Sequence, residues 1–220
     1  MKRIKEISKL TMMDMILNFE DYSALPDDLA QLPLPENIKI GRKRYQIPSD
    51  RDQFLNSLNY GQRLFMVKSE PNDFDRIFRL LDGYYYPIVT QREWNDQDSL
   101  NFGVKILDCL VIEAYPVAAH LALLVNEMLD REHELLYRAP TKMEVAAGIE
   151  KLNVFSELMN VNFLRDQMKI GIDEVLNTSY NECLVYFMMQ KETIEFQDKL
   201  RQLQIELNQK PKSKYQHENT

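Results

Sequence analysis

The chain has 220 residues, of which 45% are hydrophobic, so it can bury a sizeable core without disulfides or structural metal ions. A formal net charge of −7 argues against sequence-independent binding to nucleic acid, because such binding depends on clustered lysine and arginine. Six glycines against 28% charged residues favour helices over a turn-rich β fold.

The cysteines and the N-terminus indicate a reducing compartment. Cys109 and Cys183 lie apart in apolar stretches, which is typical of buried free thiols and not of a disulfide framework. The N-terminal residues are charged and lack the long apolar stretch of a signal peptide. These features predict a cytosolic protein.

Residues 1–35 are predicted to form a short helix and a proline-rich linker. Thr11 can cap a helix that runs from Met12 to about Tyr22. Three prolines follow between residues 23 and 36, and each restricts the residue before it to extended backbone.

Residues 36–48 carry the one convincing strand pattern. Ile38 and Ile40 precede Gly41, and Tyr45 and Ile47 follow it, so apolar residues alternate on both sides of a turn. The pattern predicts a small β-hairpin. Because an isolated hairpin is marginal in water, it must pack on the helices or pair with a partner at an exposed edge.

Residues 50–68 are predicted to be helical in two pieces. The second piece should start after Asn59, which has Gln62 three residues later, as in a capping box. The next helix is expected to begin near Pro71 and to end before Pro87, because proline lacks the N–H that a helix interior requires.

Asn95 or Asp96 can cap a helix over residues 97–107, which leads into the most apolar stretch, Val104 to Leu129. We predict that this stretch is a central core helix, kinked at Pro116 or with Pro116 in the first turn of a second helix. A membrane span needs about 20 nearly uncharged residues, and four polar residues interrupt this stretch, namely Asp108, Glu113, His120 and Glu127.

Two further capping boxes mark the C-terminal helices. Thr141–Glu144 opens one helix, and Ser179–Glu182 opens the longest, which is expected to run from Tyr180 to about Asn208. Between them, a helix from Val154 to Lys169 is expected to end at a Gly171 cap.

The last helix carries a stripe of mostly apolar residues spaced alternately three and four apart, as in a coiled coil. The stripe consists of Tyr186, Met189, Thr193, Phe196, Leu200, Leu203 and Leu207. Two interpretations are open: the stripe packs on its own domain, or it binds a partner or a second copy of the chain. Residues 210–220 are polar and are predicted to be disordered.

Together these elements predict a mainly α fold, a helical bundle with one small β-hairpin near the N-terminus and a long C-terminal helix. The predicted organisation has four parts: residues 1–35 (helix and linker), 36–139 (hairpin and helical core module), 140–209 (C-terminal helical module) and 210–220 (tail).

No pattern in the sequence predicts catalysis. Gly-rich phosphate loops and nucleophile elbows are absent. Asp130 and His133 have the carboxylate-x-x-His spacing of di-metal bundles, but the spacing occurs once, whereas such sites need it on two helices. His120 is expected to be a hydrogen-bonded core histidine. We therefore predict no catalytic residue, no metal ligand and no cofactor.

Aromatic residues are candidates for contact with a partner. Tyr84, Tyr85 and Tyr86 lack the interleaved basic residues of a nucleic-acid platform and are expected to be part core and part interface. Trp94, in a polar loop, is either a lid over the core or a partner anchor. The predicted partner-binding residues are Tyr84, Tyr85, Tyr86, Trp94, Phe196, Leu200, Leu203 and Leu207.

Several segments between residues 36 and 200 carry a family resemblance: Ile38–Ile47, Leu58–Gln62, Tyr86–Thr90, Glu113–Ala118, Ala147–Leu152, Glu174–Leu176 and Tyr180–Glu182. In their order and character the chain resembles small structural and tail-assembly (chaperone-like) proteins of tailed bacteriophages, especially those that infect gut Bacteroidetes.

The resemblance implies a non-enzymatic role in the host cytoplasm or in the virion, with other phage tail or virion proteins as partners, and it supplies no catalytic residue. The stripe of the last helix adds possible self-association, and the net charge and the interrupted apolar stretch predict no nucleic-acid or membrane partner. The long terminal helix departs from the shorter chaperones, which leaves open whether the protein stays in the mature particle.

Three hypotheses follow. The first is a phage assembly or virion protein that acts by protein–protein binding. The second is a helical adaptor or inhibitor of a host protein. The third is a helical-bundle metalloenzyme with a site around Glu113, His120, Glu127, Asp130 and His133.

Overall fold

The computed structural model describes residues 7–17, 29, 31–68 and 73–209. It confirms the predicted mainly α fold with one two-stranded hairpin near the N-terminus and a long C-terminal helix. The elements in the described residues are α1 (Met12–Leu17), β1 (Asn37–Ile40), β2 (Lys43–Gln46), α2 (Arg51–Ser57), α3 (Tyr60–Met66), α4 (Asp73–Thr90), α5 (Asp96–Ile106), α6 (Val111–Leu136), α7 (Lys142–Ala146), a 3-10 helix (Ile149–Phe155), α8 (Ser156–Met168), α9 (Ile172–Asn177) and α10 (Tyr180–Gln209).

Some predictions concern residues outside these ranges. They are the continuation of the first helix over residues 18–22, most of the linker over residues 23–30, the helix start at Pro71 and the tail over residues 210–220. The division into modules at residue 140 stays a prediction.

Backbone hydrogen bonds fix α1 to the start of α6. Thr11 caps α1 as predicted, and its Oγ1 accepts the N–H three residues further on. Met12 N donates to Cys109 O (2.9 Å) and Val111 N donates to Leu10 O (2.9 Å), which forms a short antiparallel bridge.

The hairpin forms as predicted. Gly41 lies in its turn with a positive φ of 61°, a conformation that glycine adopts without steric cost. The antiparallel register runs from the pair Asn37–Gln46 to the pair Ile40–Lys43. Ile38 and Ile40 are buried, so the apolar face of β1 packs on the helices.

The capping residues place α2, α3 and α5 where the sequence predicts them. Asp50 caps α2 by accepting from the N–H of Gln53. Asn59 and Gln62 form the reciprocal capping box of α3. Asn95 caps α5 by accepting two N–H groups of its first turn. These contacts are local, which is why the sequence alone locates them.

The prediction that Pro87 ends a helix was wrong, because α4 continues to Thr90 with Pro87 inside it. Pro87 has no N–H to donate to the carbonyl of Gly83, four residues earlier. Gln62 of α3 replaces that donor, with Nε2 2.7 Å from Gly83 O. A side chain from another helix therefore satisfies the carbonyl that proline leaves free.

The apolar stretch is divided between α5 and α6, as the two-helix alternative has it, but the break lies at residues 107–110 and not directly before Pro116. Leu110, between them, has extended backbone (φ −68°, ψ 133°) and belongs to the bridge with α1. This tertiary pairing interrupts a stretch that is helical by composition. Pro116 lies in the second turn of α6, inside the helix.

The C-terminal helices are shorter than predicted before α10. The capping box of Thr141 forms, but α7 ends at Ala146. Lys169, and not Gly171, takes the left-handed conformation after α8 (φ 61°). Gly171 instead precedes α9 with φ −74° and donates its N–H to the Glu174 carboxylate.

Two buried clusters join these elements. The larger combines side chains of α1, the hairpin and α2–α6 with Tyr180 and Leu184 of α10. The smaller joins Tyr60 of α3 to buried side chains of α8, α9 and α10. Two backbone hydrogen bonds reinforce this contact, Tyr60 N to Thr178 O (2.9 Å) and Tyr180 N to Leu58 O (3.0 Å). The base of α10 is thus fixed inside the body.

Within the described ranges, the helices include none with both the length and the apolar character needed to cross a bilayer.

Candidate functional site

The tyrosine cluster lies in the core. Tyr84, Tyr85 and Tyr86 are between 0% and 4% exposed. Tyr84 stacks on Phe54 with ring centroids 5.6 Å apart, and Tyr86 makes an edge contact with Phe102 at 5.9 Å. These side chains present no surface to a partner in this structure.

Trp94 is likewise 4% exposed and acts as the lid of the core. Its ring lies against Gly61, where a Cβ would be 2.3 Å from Trp94 Cδ1. Asn177 of α9 holds the backbone of Trp94, because its Oδ1 accepts Trp94 N at 2.6 Å and its Nδ2 donates to Trp94 O at 3.2 Å. The tryptophan therefore fastens α9 to α3.

The most polar interior cluster surrounds the ion pair of Arg63 and Glu132. Arg63 donates from Nε and Nη2 to the two carboxylate oxygens at 2.8 and 2.5 Å. The cavity beside the pair has a volume of about 50 Å³ and is also lined by Tyr60, Tyr180 and Cys183. Burial raises the pKa of the Cys183 thiol to about 12, so the thiol is neutral and is a poor nucleophile. The cluster joins α3, α6 and α10 and has no feature that predicts a reaction.

The residues of the metalloenzyme hypothesis are engaged elsewhere. Glu113 accepts the N–H of Lys39 at 2.9 Å. His120 Nε2 lies 2.8 Å from the carbonyl oxygen of Pro48. His133 stacks on Tyr137 with ring centroids 4.8 Å apart. In the part of the chain that the structure describes, no three histidine, cysteine or carboxylate side chains converge as metal ligands would.

The hairpin edge is also occupied. At Lys39 the N–H bonds Glu113 and the carbonyl accepts from Cys109 Sγ at 3.2 Å. On the other strand, Gln46 O accepts from the Tyr85 hydroxyl at 3.3 Å. Because the two Lys39 contacts use the backbone groups that an added strand would need, strand addition does not fit the β1 edge of the hairpin.

The apolar stripe of α10, in contrast, is open to solvent. Its most exposed members are Met189, Phe196, Leu200, Leu203 and Leu207, which are 60%, 62%, 43%, 47% and 66% exposed. The interpretation in which the stripe packs on its own domain therefore holds only for its first member, Tyr186, which packs against the smaller buried cluster. This group of five side chains is called the stripe below.

A different face of α10 packs on the body. Leu184, Lys191 and Asp198 follow one another at seven-residue intervals along this face. Leu184 is 4% exposed, Lys191 Nζ donates to Leu135 O at 3.0 Å, and Arg138 donates to Asp198 at 3.3 Å. Residues that repeat every seven positions lie on one side of a helix, so these contacts leave the stripe on the other side free.

A second exposed apolar surface runs from α7 through the 3-10 helix into the first turn of α8. From residue 142 to residue 160 no side chain is buried. Seven of these side chains are large and apolar, and they are called the apolar segment below: Met143, Val145, Leu152, Val154, Phe155, Leu158 and Met159, between 48% and 86% exposed. Exposed apolar area of this extent marks interaction sites in soluble proteins.

A groove of about 400 Å³ separates the apolar segment from α10. Met143 and Ala147 line one side, and Gln202 and Ile205 line the other. Arg138 closes one end by bonding both Glu144 and Asp198. The hydrogen bond from Arg138 helps to lower the pKa of Glu144 to about 2, so this link is ionised at neutral pH.

Sequence reasoning found all five residues of the stripe, four of them as predicted partner-binding residues, and missed the apolar segment, because its capping box suggested an ordinary packed helix. The face of α10 that packs combines Leu184, Lys191 and Asp198, whose unlike residue types give no pattern in the sequence. Comparisons with protein-family models, with curated proteins and with solved structures gave no match.

Proposed function

We propose that this chain is a non-enzymatic protein of a tailed bacteriophage that acts by binding other tail or virion proteins, in the host cytoplasm or in the particle. The phage class follows the resemblance of the segments between residues 36 and 200. The binding role rests on the surface of the C-terminal helices.

One observation carries the proposal: the apolar segment is uncovered over its whole length, although the chain has a large separate core. Val154 is 86% exposed and Phe155 is 54% exposed. Apolar side chains in such positions gain free energy when a partner removes them from water, at about 25 cal/mol for each Å² buried. An exposed surface with this many apolar side chains fits a partner protein.

The interior supports the same class of function. The two buried cysteines have pKa values raised to about 12 by burial, which disfavours thiolate chemistry. Arg63 donates two hydrogen bonds to the Glu132 carboxylate, and this ion pair joins two helices.

The test is co-expression of the full chain with tail-tube, tape-measure and portal proteins of tailed bacteriophages that infect gut Bacteroidetes. We expect one of them to co-purify with the unmodified chain and to be lost with Val154→Glu. Asn153→Glu is the matched control, because it adds the same charge to the neighbouring exposed residue without removing an apolar side chain. Circular dichroism should show both variants folded.

Equal retention of the partner by Val154→Glu and Asn153→Glu would move the binding site away from the apolar segment. Binding of none of the three phage proteins, together with stoichiometric binding of a purified host protein, would replace the proposal with the adaptor hypothesis.

A further inference from the structure

The stripe of α10 is exposed to solvent for most of its length because a different face of α10 contacts the rest of the protein. In heptad terms, Met189, Phe196 and Leu203 occupy one core position and Leu200 and Leu207 the other, with Thr193 continuing the spacing. Lys191 and Asp198, which contact the body, occupy the outer position on the opposite side.

The end of α10 lacks support from the rest of the chain. All side chains from residue 199 to residue 208 are exposed, including Leu200, Leu203 and Leu207. Helices shorter than about 12–15 residues are marginal in water without tertiary packing, so these last turns gain most from a helix that packs along the stripe.

The residues that flank the stripe indicate which partner helix packs along it. A charged residue lies before Thr193, Leu200 and Leu207, in the order Glu192, Lys199, Glu206. On the other flank lies an amide each time, in the order Gln190, Gln197, Gln204. In a parallel pair of identical helices, each residue of the first flank faces one of the second flank on the partner helix.

In that arrangement Glu192 faces Gln197 and Lys199 faces Gln204, and an amide can donate to a carboxylate or accept from an ammonium group. In an antiparallel pair with the same overlap, the charged flank of one helix lies beside the charged flank of the other. Lys199 then faces Lys199 of the partner helix, and Glu192 faces its Glu206. Like charges in contact are unfavourable, so the flanks favour the parallel pair.

From the free stripe and the charge pattern of its flanks, we infer that the occupant of the stripe is a second copy of this chain, whose α10 packs in parallel and in register from Met189 to Leu207. The homodimer so formed carries two copies of the apolar segment. It goes beyond the proposed function, since it assigns the stripe to self-association and leaves the apolar segment to the heterologous partner.

The mass of the purified full chain in sedimentation velocity or light scattering tests the dimer. We expect a dimer that Leu203→Glu converts to monomer. Ile205→Glu is the matched control, because Ile205 is 49% exposed against 47% for Leu203 but lies on the groove side of the helix. Ile205→Glu should therefore remain dimeric.

Cross-linking tests the orientation. With Leu207→Cys, a parallel pair brings two thiols together, whereas an antiparallel pair with the same overlap separates them by about 27 Å along the helix. We expect a disulfide-linked dimer with Leu207→Cys and none with Gln202→Cys, which lies on the groove side. The native Cys109 and Cys183 are buried and do not compete.

A monomer at every concentration would overturn the inference, as would a dimer that survives Leu203→Glu or is lost equally with Ile205→Glu. A dimer sensitive to Leu203→Glu that gives no Leu207→Cys disulfide would overturn its parallel orientation. Val154→Glu separates this inference from the proposed function, because it should abolish binding of the phage partner and leave the dimer mass unchanged.

Discussion

Gln62 donates its side-chain N–H to the carbonyl of Gly83, 2.7 Å away, at the point where Pro87 leaves helix α4 without a donor. The same side chain accepts the N–H of Asn59 through Oε1 at 3.0 Å, completing the capping box of α3. One buried glutamine thus serves two helices, and α4 can contain a proline because α3 lies beside it.

We expect Gln62→Leu to lower the free energy of unfolding by about 1–3 kcal/mol, because the buried carbonyl of Gly83 would lose its partner. In the background of Pro87→Ala, an N–H is available within α4, and the same change should cost less. Urea unfolding of the four proteins measures this coupling. Gln62→Leu also removes the hydrogen bond that Gln62 accepts from Asn59 N–H, but this loss is the same in both backgrounds and cancels from the comparison. If the effects of the two changes were simply additive, Gln62 would not be replacing the N–H that Pro87 lacks.

Asp82 predicts a pH dependence of stability. It is 3% exposed on α4, beside Gly103 of α5, and burial raises its pKa from 3.8 to about 8 against the opposing effect of Arg79. The folded state therefore holds a proton that the unfolded state releases above pH 4. The free energy of unfolding should fall as the pH rises from about 4 to about 8, by about 1.4 kcal/mol for each pH unit.

Asp82→Asn should remove this contribution, so the variant should gain stability relative to the parent as the pH rises through the same window. Denaturant unfolding at pH 5, 6, 7 and 8 measures the difference. A constant difference between parent and variant across these values would show that Asp82 does not titrate there.

Breaking the Arg63–Glu132 ion pair by a single substitution should lower the free energy of unfolding strongly. Its side chains are 16% and 14% exposed, and Glu132→Gln would leave the guanidinium without its carboxylate. We expect a loss of about 3 kcal/mol, at the low end for buried pairs because some solvent reaches it. Arg165→Met, which breaks the exposed pair with Asp166, is the control and should cost less than about 1 kcal/mol. Equal losses in urea unfolding would contradict this account.

Gly61 predicts a steric effect with an optical signal. A methyl group there would meet Trp94 and the carbonyl of Leu176, the latter at 3.0 Å, so Gly61→Ala should destabilise by about 1–3 kcal/mol. The emission of Trp94, the sole tryptophan, should shift to longer wavelength as the ring leaves the core. Gly171→Ala, whose methyl group would meet only the Glu174 carboxylate at 3.4 Å, should leave emission and stability unchanged.

The features that the sequence predicts well are local: they depend on contacts between residues a few positions apart in the chain. The capping box of Asn59, the cap of Asn95 and the turn at Gly41 depend on neighbours in the chain, and all three form as predicted. The long α10 also begins at its predicted residue, where Ser179 accepts the N–H of Glu182.

What the sequence does not predict depends on partners distant in the chain. Pro87 remains helical because of Gln62, and Leu110 interrupts an apolar stretch because it pairs with α1. Trp94 has a polar sequence context, yet it is buried because Gly61 offers space for its ring. The stripe was recognised from spacing alone, but its exposure follows from which face of α10 the body holds.

The paired backbone hydrogen bonds of Tyr60 and Tyr180 give α10 a fixed root. The helix has 30 residues and is therefore roughly 45 Å long, and its contacts with the body continue as far as Asp198. A load applied to its far tip would therefore act first on the Arg138–Asp198 ion pair, which is partly exposed, and only then on the two backbone hydrogen bonds at its base.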